Sequence, residues 1–197
     1  MRSVSQQILI SLTLVFCTTS MVTFAVTDED GYDEYTIRKR DIPIDAPKFA
    51  GFPAKKYEGP NAAIDFRKNP DAREYRTRLT AWSKARPNFA GHYILATWGC
   101  GTNCTQITII NARTGKVYQP EGMTANSAVN VEDALLDNSD PWYGSGSIKF
   151  QPDSRLLMLV GMPEERTEDR GISWFVWEEP RLKRIRFIPK GWYPAKE

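Results

Sequence analysis

The sequence predicts an α+β fold in which an antiparallel β-sheet of several hairpins is covered by an N-terminal helix. Short segments rich in β-branched and aromatic residues dominate the chain after residue 90. These segments are residues 92–98, 106–111, 116–118, 148–150, 156–161, 172–178 and 184–188. Turn-forming residues separate three pairs of them, at 112–115, 151–154 and 179–182, as β-hairpins require.

The covering helix is predicted over residues 70–84. Pro70 stands at a helix-start position, where its missing N–H costs nothing. Tyr75, Leu79 and Trp82 then follow at i, i+4 and i+7, which is the spacing of one apolar stripe. We expect this stripe to pack on one face of the sheet.

Two strands lack the alternation of apolar and polar residues. In residues 156–160 and 174–177 neither alternate position is consistently polar, so both strands should be covered on both faces. Residues 150–157 also look like the hairpin of a β-propeller blade. A propeller needs at least four blades of about 40 residues, which this chain cannot supply. We therefore expect one blade-like meander.

The chain divides into three parts. Residues 1–25 have the pattern of a secretory signal, with Arg2 before an apolar run and Ala25 at the expected cleavage site. Residues 26–47 are rich in charge and are predicted to form a flexible arm. Residues 48–197 suit a single domain. We expect an exported protein, periplasmic or secreted, with no stable membrane span after signal cleavage.

The charge balance argues against a nucleic-acid partner. The chain has 26 Lys and Arg residues and 24 Asp and Glu residues, and loss of Arg2 with the signal leaves it almost neutral. A nucleic-acid-binding domain normally shows a clear basic excess. We expect the partner to be a protein or a ligand of the cell envelope.

Two cysteines four positions apart, Cys100 and Cys104, admit three interpretations. In an oxidising compartment they are expected to form a disulfide that fixes one turn. Alternatively, Cys104 is a catalytic thiolate with His92 as its base, which would make the protein a thiol hydrolase or transferase. The third interpretation, a metal site formed by both cysteines and His92, lacks a fourth ligand.

The candidate ligand-binding residues surround this turn or lie in the long segment 119–146, which shows no strand periodicity. They are Asn88, His92, Trp98, Thr102, Asn103, Trp142 and Tyr143. Because loops carry function more often than frameworks do, we expect the site among them. No metal and no cofactor is expected.

The chain resembles a family of small, exported bacterial proteins of uncharacterised function. The resemblance rests on N-F-A-G-H-Y at residues 88–93, W-G-C-G-T-x-C at 98–104, D-x-x-T-G-x-V at 111–117 and F-x-x-D-S-R-L-L at 150–157, with Asn111 in place of the aspartate. It covers about residues 52–188. It implies a shared architecture and export, and it assigns no catalytic residue.

Taken together, the sequence favours an exported binding protein in which a disulfide-stapled turn meets a protein or inhibitor-type partner. A pre-ordered loop loses little conformational entropy on docking. The thiol enzyme using Cys104 and His92 is the alternative from another class. A structural envelope protein without catalytic activity is the third hypothesis.

Overall fold

The computed structural model describes residues 32–137 and 143–192, which form nine antiparallel β-strands and a few short helices. The strands are β1 (Tyr93–Gly101), β2 (Cys104–Asn111), β3 (Val117–Tyr118), β4 (Ala125–Ser127), β5 (Tyr143–Ser145), β6 (Ile148–Phe150), β7 (Leu156–Pro163), β8 (Gly171–Glu178) and β9 (Arg181–Pro189). The α-helices are α1 (Tyr32–Tyr35), α2 (Arg76–Trp82) and α3 (Asp133–Leu136). Single 3₁₀ segments span Lys39–Asp41, Phe49–Gly51, Pro70–Tyr75 and Thr167–Asp169.

The predicted antiparallel sheet is confirmed. Each of the seven predicted segments forms a strand, and the three predicted turns join β2 to β3, β6 to β7 and β8 to β9. Strands β5 to β9 pair in chain order, which makes them a meander. Strands β4 and β5 lie in the segment 119–146, where the sequence shows no strand periodicity. Each strand has only three residues, which is too short for an alternating pattern to be recognised.

Strand β7 is the centre of the sheet. It pairs with β6 along one edge and with β8 along the other. Its end pairs with β4, which also pairs with the start of β2. Strand β4 therefore joins the β1–β2 hairpin to the meander.

Apolar side chains from alternate positions of β7 enter two different layers. Leu157 and Leu159 face the inner layer, which also contains Leu95 and Ile109 from the β1–β2 hairpin. Leu156, Met158 and Val160 face an outer layer with Trp174 of β8. The prediction that these strands are covered on both faces is confirmed.

The covering helix requires a correction. In place of one helix over residues 70–84, the chain forms the 3₁₀ segment Pro70–Tyr75 followed by α2. Leu79 is fully buried against Ile94 and Ile110, so this segment packs on the outer face of the β1–β2 hairpin, with Val117 of β3 at the margin of the contact. The apolar stripe indicated a buried face, but it could not indicate which strands that face meets.

The outer face of β7 and β8 is covered instead by residues 37–52, a segment that contains no long helix. Ile37 is completely buried there, and its N–H donates to the Asn130 carbonyl at 2.9 Å. Part of the segment predicted as a flexible arm, from Ile37 onward, thus belongs to the core. The predicted signal peptide and residues 26–31 lie outside the described residues. In residues 32–137 and 143–192 no helix is long and apolar enough to cross a membrane.

Candidate functional site

The β1–β2 hairpin ends in an exposed turn, residues 99–103, which we call the hairpin tip. All five residues of the tip are exposed. A disulfide between Cys100 and Cys104 closes the turn, with the two Cα atoms 5.1 Å apart. The predicted disulfide is confirmed, and both sulfurs are consumed in it.

The backbone of the hairpin tip is irregular because the strand pairing shifts there. Gly99 lies opposite Thr105, but Gly101 lies opposite Cys104, so one limb carries an extra residue. Gly101 has φ +148° and Asn103 has φ +55°, in a region that glycine enters freely and asparagine tolerates. The Asn103 carbonyl also accepts a hydrogen bond from the Ala128 N–H at 2.8 Å, next to β4.

Gly99 differs from Gly101 because the fold does not require a glycine at this position. A Cβ atom added at Gly99 would meet no heavy atom within 4 Å, and the backbone is not in the positive-φ region. The glycine leaves bare backbone on the outside of the molecule. Close approach of a ligand or partner to the backbone is one of the uses of such a glycine.

Trp98 anchors the hairpin tip to the helical segment. Its ring centroid lies 5.1 Å from that of Tyr75, and the Arg78 guanidinium lies 5.7 Å from the indole. The Gln106 amide donates to the Tyr75 hydroxyl at 2.9 Å. Trp98 is therefore half-buried by packing, whereas Thr102 and Asn103 are exposed.

Asn88 has a structural position at the other end of the hairpin. Its side-chain amide donates to the Leu95 carbonyl at 3.2 Å and accepts from the Leu95 N–H at 2.7 Å. These two bonds satisfy the backbone of an edge strand, which would otherwise carry unpaired groups.

His92 and Cys104 are not brought together. Tyr93 pairs with Asn111 and Gly101 with Cys104, so the histidine lies at the base of the hairpin and the disulfide at its tip. Eight residues of strand correspond to about 26 Å. The geometry gives no support to the thiolate–histidine pair or to a metal site that uses these three side chains. Within the described residues no group of three or more metal-ligating side chains occurs.

A second candidate site lies at the base of the hairpin, and the sequence did not indicate it. We call it the basal cleft, and its volume is about 430 Å³. Charged and titratable side chains line it: Lys55, His92, Arg113, Arg155, Glu178 and Glu179. They come from five separate stretches of chain, so no local motif could reveal their meeting.

A carboxylate held by two phenols forms one wall of the basal cleft. The hydroxyls of Tyr93 and Tyr118 both donate to the Glu179 carboxylate. These bonds, from Tyr118 first and then from Tyr93, hold the pKa of Glu179 below its usual value. Burial, aided by the bond to Glu179, raises the pKa of Tyr93 to about 12.

The phenols are themselves packed on an indole. The Trp177 ring meets those of Tyr93 and Tyr118 edge to face, with centroids 5.2 and 5.4 Å apart. Burial, followed by the bond to Glu179, also raises the pKa of Tyr118. The indole N–H of Trp177 lowers the pKa of Tyr93 and so opposes its rise, and it makes no hydrogen bond within the described residues.

The surroundings of His92 favour the neutral form of its imidazole. Burial lowers the pKa of its imidazole, the Arg113 charge lowers it further, and Glu179 opposes both. The imidazole lies 4.2 Å from the Tyr93 ring, centroid to centroid. It can therefore accept or donate a hydrogen bond in the cleft without adding a charge.

A larger cleft of about 600 Å³ lies beside the basal cleft, and three of its polar side chains, those of Lys56, Tyr57 and Asn61, are bonded within the protein. Lys56 pairs with Asp153 at 3.3 Å. The Asn61 amide donates to two backbone carbonyls, and the Tyr57 hydroxyl donates to that of Pro60. We therefore regard the basal cleft as the better site for a small ligand.

The two aromatic candidates in the long segment are Trp142 and Tyr143. Trp142 lies outside the described residues, and the backbone of Tyr143 begins β5 opposite Phe150. Their proposed role in ligand binding stays a prediction.

Comparison with protein-family models, with curated proteins and with solved structures finds no match to this chain. The family resemblance drawn from the sequence motifs therefore stays a prediction. Function has to be argued from the two ends of the β1–β2 hairpin.

Proposed function

We propose that the chain is an exported binding protein that docks the hairpin tip onto a protein partner, in the manner of an inhibitor loop entering a cleft. One observation carries this proposal. Five consecutive residues, 99–103, are exposed, and yet a disulfide and the bond from Ala128 hold their backbone in place.

The rigidity of the hairpin tip favours binding. A loop that is already ordered loses little conformational entropy when a partner immobilises it. The disulfide supplies that order without any side-chain packing around the tip. It thereby leaves the outer surface of the turn available for contact.

The composition of the hairpin tip suits burial in a cleft. Residues 99–104 carry no formal charge, so docking desolvates no ion. Gly99 allows the partner to approach the backbone closely. Thr102 and Asn103 offer side-chain donors and acceptors that can fix the register of the complex.

Export is part of the proposal. Disulfides persist in oxidising compartments and are rare in the cytosol. The disulfide at the hairpin tip, together with the signal-like first 25 residues, supports a periplasmic or secreted location.

The test compares two exposed glycines. Gly99 and Gly51 are both exposed, both lie outside the positive-φ region, and a Cβ atom added to either meets nothing within 4 Å. Gly99→Arg should therefore fold as well as Gly51→Arg. Tagged wild-type protein and both variants are used to capture partners from envelope extracts, and the bound proteins are quantified by mass spectrometry.

We expect a partner that the wild type and Gly51→Arg capture equally and that Gly99→Arg loses at least about tenfold, as blocking a central contact does. Equal capture by all three proteins would show that the hairpin tip does not bind. The absence of any partner specific to the wild type would also contradict the proposal.

A further inference from the structure

Three cations meet at the basal cleft from separate segments. Lys55 lies before β1, Arg113 lies in the turn between β2 and β3, and Arg155 lies in the turn before β7. Bringing like charges together is unfavourable unless something compensates them. The fold accepts this cost in a cleft that solvent can enter.

The backbone around these cations is held firmly. The Arg155 N–H donates to the Phe52 carbonyl at 2.8 Å, and the Arg155 carbonyl accepts from the Trp177 N–H at 2.9 Å. Ala54, the neighbour of Lys55, donates to the Asp153 carbonyl at 2.7 Å. The Arg113 guanidinium lies 5.1 Å from the centroid of the Tyr57 ring. The fold therefore sets the backbone positions from which these side chains enter the cleft.

Opposite charges share the basal cleft without pairing. In the part of the chain that the structure describes, no ion pair within 4.0 Å joins Lys55, Arg113 or Arg155 to a carboxylate. Glu178 lines the same cleft and is exposed, and it makes no ion pair even with Arg181, its partner across the β8–β9 hairpin. The three cations and Glu178 thus face the same cleft and are all available to a ligand.

This arrangement matches one class of ligand. Guanidinium groups bind carboxylates through two parallel hydrogen bonds. Glu178 is free to accept an ammonium group, whereas the Glu179 carboxylate already accepts bonds from two phenols. Three cations against two carboxylates favour a ligand with little net charge over a phosphate dianion. A volume of about 430 Å³ is in the range of small-molecule sites.

We infer that the basal cleft binds a small zwitterion of the amino-acid or short-peptide class, with its carboxylate on Arg113 and Arg155 and its ammonium group on Glu178. Lys55 adds positive charge on the carboxylate side. His92 lies beside the bound ligand and reports its presence. The site is separate from the hairpin tip, which lies at the other end of β1.

The test uses the imidazole of His92 as the reporter. It is the only histidine in the chain, so its NMR signals need no separation from others. The full-length exported protein is titrated with glycylglycine, with acetate and with inorganic phosphate. We expect saturable shifts with glycylglycine in the millimolar range, weaker shifts with acetate and the weakest with phosphate.

Variants assign the two ends of the ligand. Arg113→Gln and Arg155→Gln should each weaken glycylglycine binding by about tenfold or more, as loss of a charge-assisted bond does. Glu178→Gln should weaken binding of glycylglycine, whereas that of acetate should stay equal or become tighter, because the variant removes a negative charge from the cleft. Arg76→Gln is the matched control, because Arg76 is also exposed and lies 4.6 Å from an aromatic ring, that of Phe66, outside the cleft.

The pKa of His92 serves as a control for the folding of Arg113→Gln. Because the Arg113 charge lowers the pKa of His92, the variant should raise that pKa in the absence of any ligand. A folded variant with this change and no glycylglycine binding supports the assignment.

The inference is overturned if glycylglycine shifts no His92 signal, if phosphate binds more tightly than glycylglycine, or if Arg76→Gln weakens binding as much as Arg113→Gln. None of these results bears on partner capture by the hairpin tip. A failure of the zwitterion site and a failure of the proposed function can therefore be told apart.

Discussion

The two ends of the β1–β2 hairpin are held by opposite means. At the tip, residues 99–103 are exposed, and a covalent bond between Cys100 and Cys104 fixes the turn. At the base, Tyr93 is buried, and its hydroxyl joins that of Tyr118 on the Glu179 carboxylate. The tip has a disulfide and little packing, whereas the base has packing and hydrogen bonds and no disulfide.

This difference shows where each kind of stabilisation is useful. Hydrogen bonds gain strength when neighbouring groups exclude water, so they suit the base of the hairpin. A disulfide works equally well in full contact with solvent, because it acts largely by restricting the unfolded chain. A disulfide is therefore well suited to keep a turn ordered while the turn stays exposed to solvent.

The largest effect is expected at the base. Glu179→Ala leaves two buried tyrosine hydroxyls without their acceptor, and the free energy of unfolding should fall by about 2.5 kcal/mol, since the exposure of Glu179 itself weakens its share. Its neighbour Glu178 has no such bonds, so Glu178→Ala should change stability by less than about 0.5 kcal/mol. Urea denaturation of both variants measures the difference. Equal losses would show that the phenol–carboxylate cluster does not stabilise the base.

A somewhat smaller effect is expected at the tip. Replacing both cysteines, Cys100→Ser with Cys104→Ser, opens a loop of five residues, which costs about 2 kcal/mol in the chain-entropy model. The folded structure should survive, since the core does not depend on this bond. Denaturation of the double variant with and without reductant checks this, because reductant should no longer change its stability. Unfolding of the variant at 25 °C would mean that the disulfide stabilises the whole fold and not only one turn.

Removal of one phenol should cost less and should change the pH profile. Tyr93→Phe is expected to lose about 1 kcal/mol at neutral pH. Burial raises the pKa of Tyr93 from its ordinary 10.0 to about 12, so its contribution to stability is complete below pH 10 and is lost as pH rises through 12. The stability difference between wild type and variant should therefore shrink across that range.

The acid side of the same profile depends on Glu179. Because hydrogen bonds from Tyr118 and Tyr93 depress the pKa of Glu179, its contribution is present above the ordinary value of 4.5 and is lost as pH falls through the depressed value. Glu179→Gln should lack this acid-induced loss. Denaturation curves from acid to alkaline pH test both limbs, and parallel curves for wild type and variants would contradict the assignment.

The smallest effect of all is expected at Gly99, in contrast to the neighbouring Gly101 of the tip. Gly101→Ala should cost about 1 kcal/mol or more, because its φ of +148° is strained for any other residue. Gly99→Ala should be within about 0.5 kcal/mol of the wild type, since neither space nor backbone angle requires glycine there. Thermal unfolding of the two variants compares them. A large loss at Gly99 would mean that the fold, and not a partner, explains this glycine.

Much of the framework could be predicted from the sequence, because short β-rich segments and turn residues are local signals. The alternation-free strands at residues 156–160 and 174–177 also indicated burial on both faces. The cover itself could not be predicted. Ile37 reaches the core through a chain of irregular structure, for which no periodicity exists.

Of the two candidate sites, only the hairpin tip could be predicted from the sequence, because only its signal is local. The disulfide at the tip joins residues that are close in sequence, so spacing alone indicated it. The basal cleft joins residues as far apart in the sequence as Lys55 and Glu179. His92 was singled out by its residue type, but its neighbours Arg113 and Glu179 looked like ordinary turn residues.

The central claim is that the two ends of the hairpin are ordered independently, with the disulfide ordering only the tip. Hydrogen exchange followed by mass spectrometry, on oxidised and reduced protein, tests it most directly. We predict that reduction accelerates exchange in residues 99–104 and in the adjoining β4 and leaves residues 88–95 and 174–182 unchanged. Acceleration at both ends, or at neither, would contradict the account.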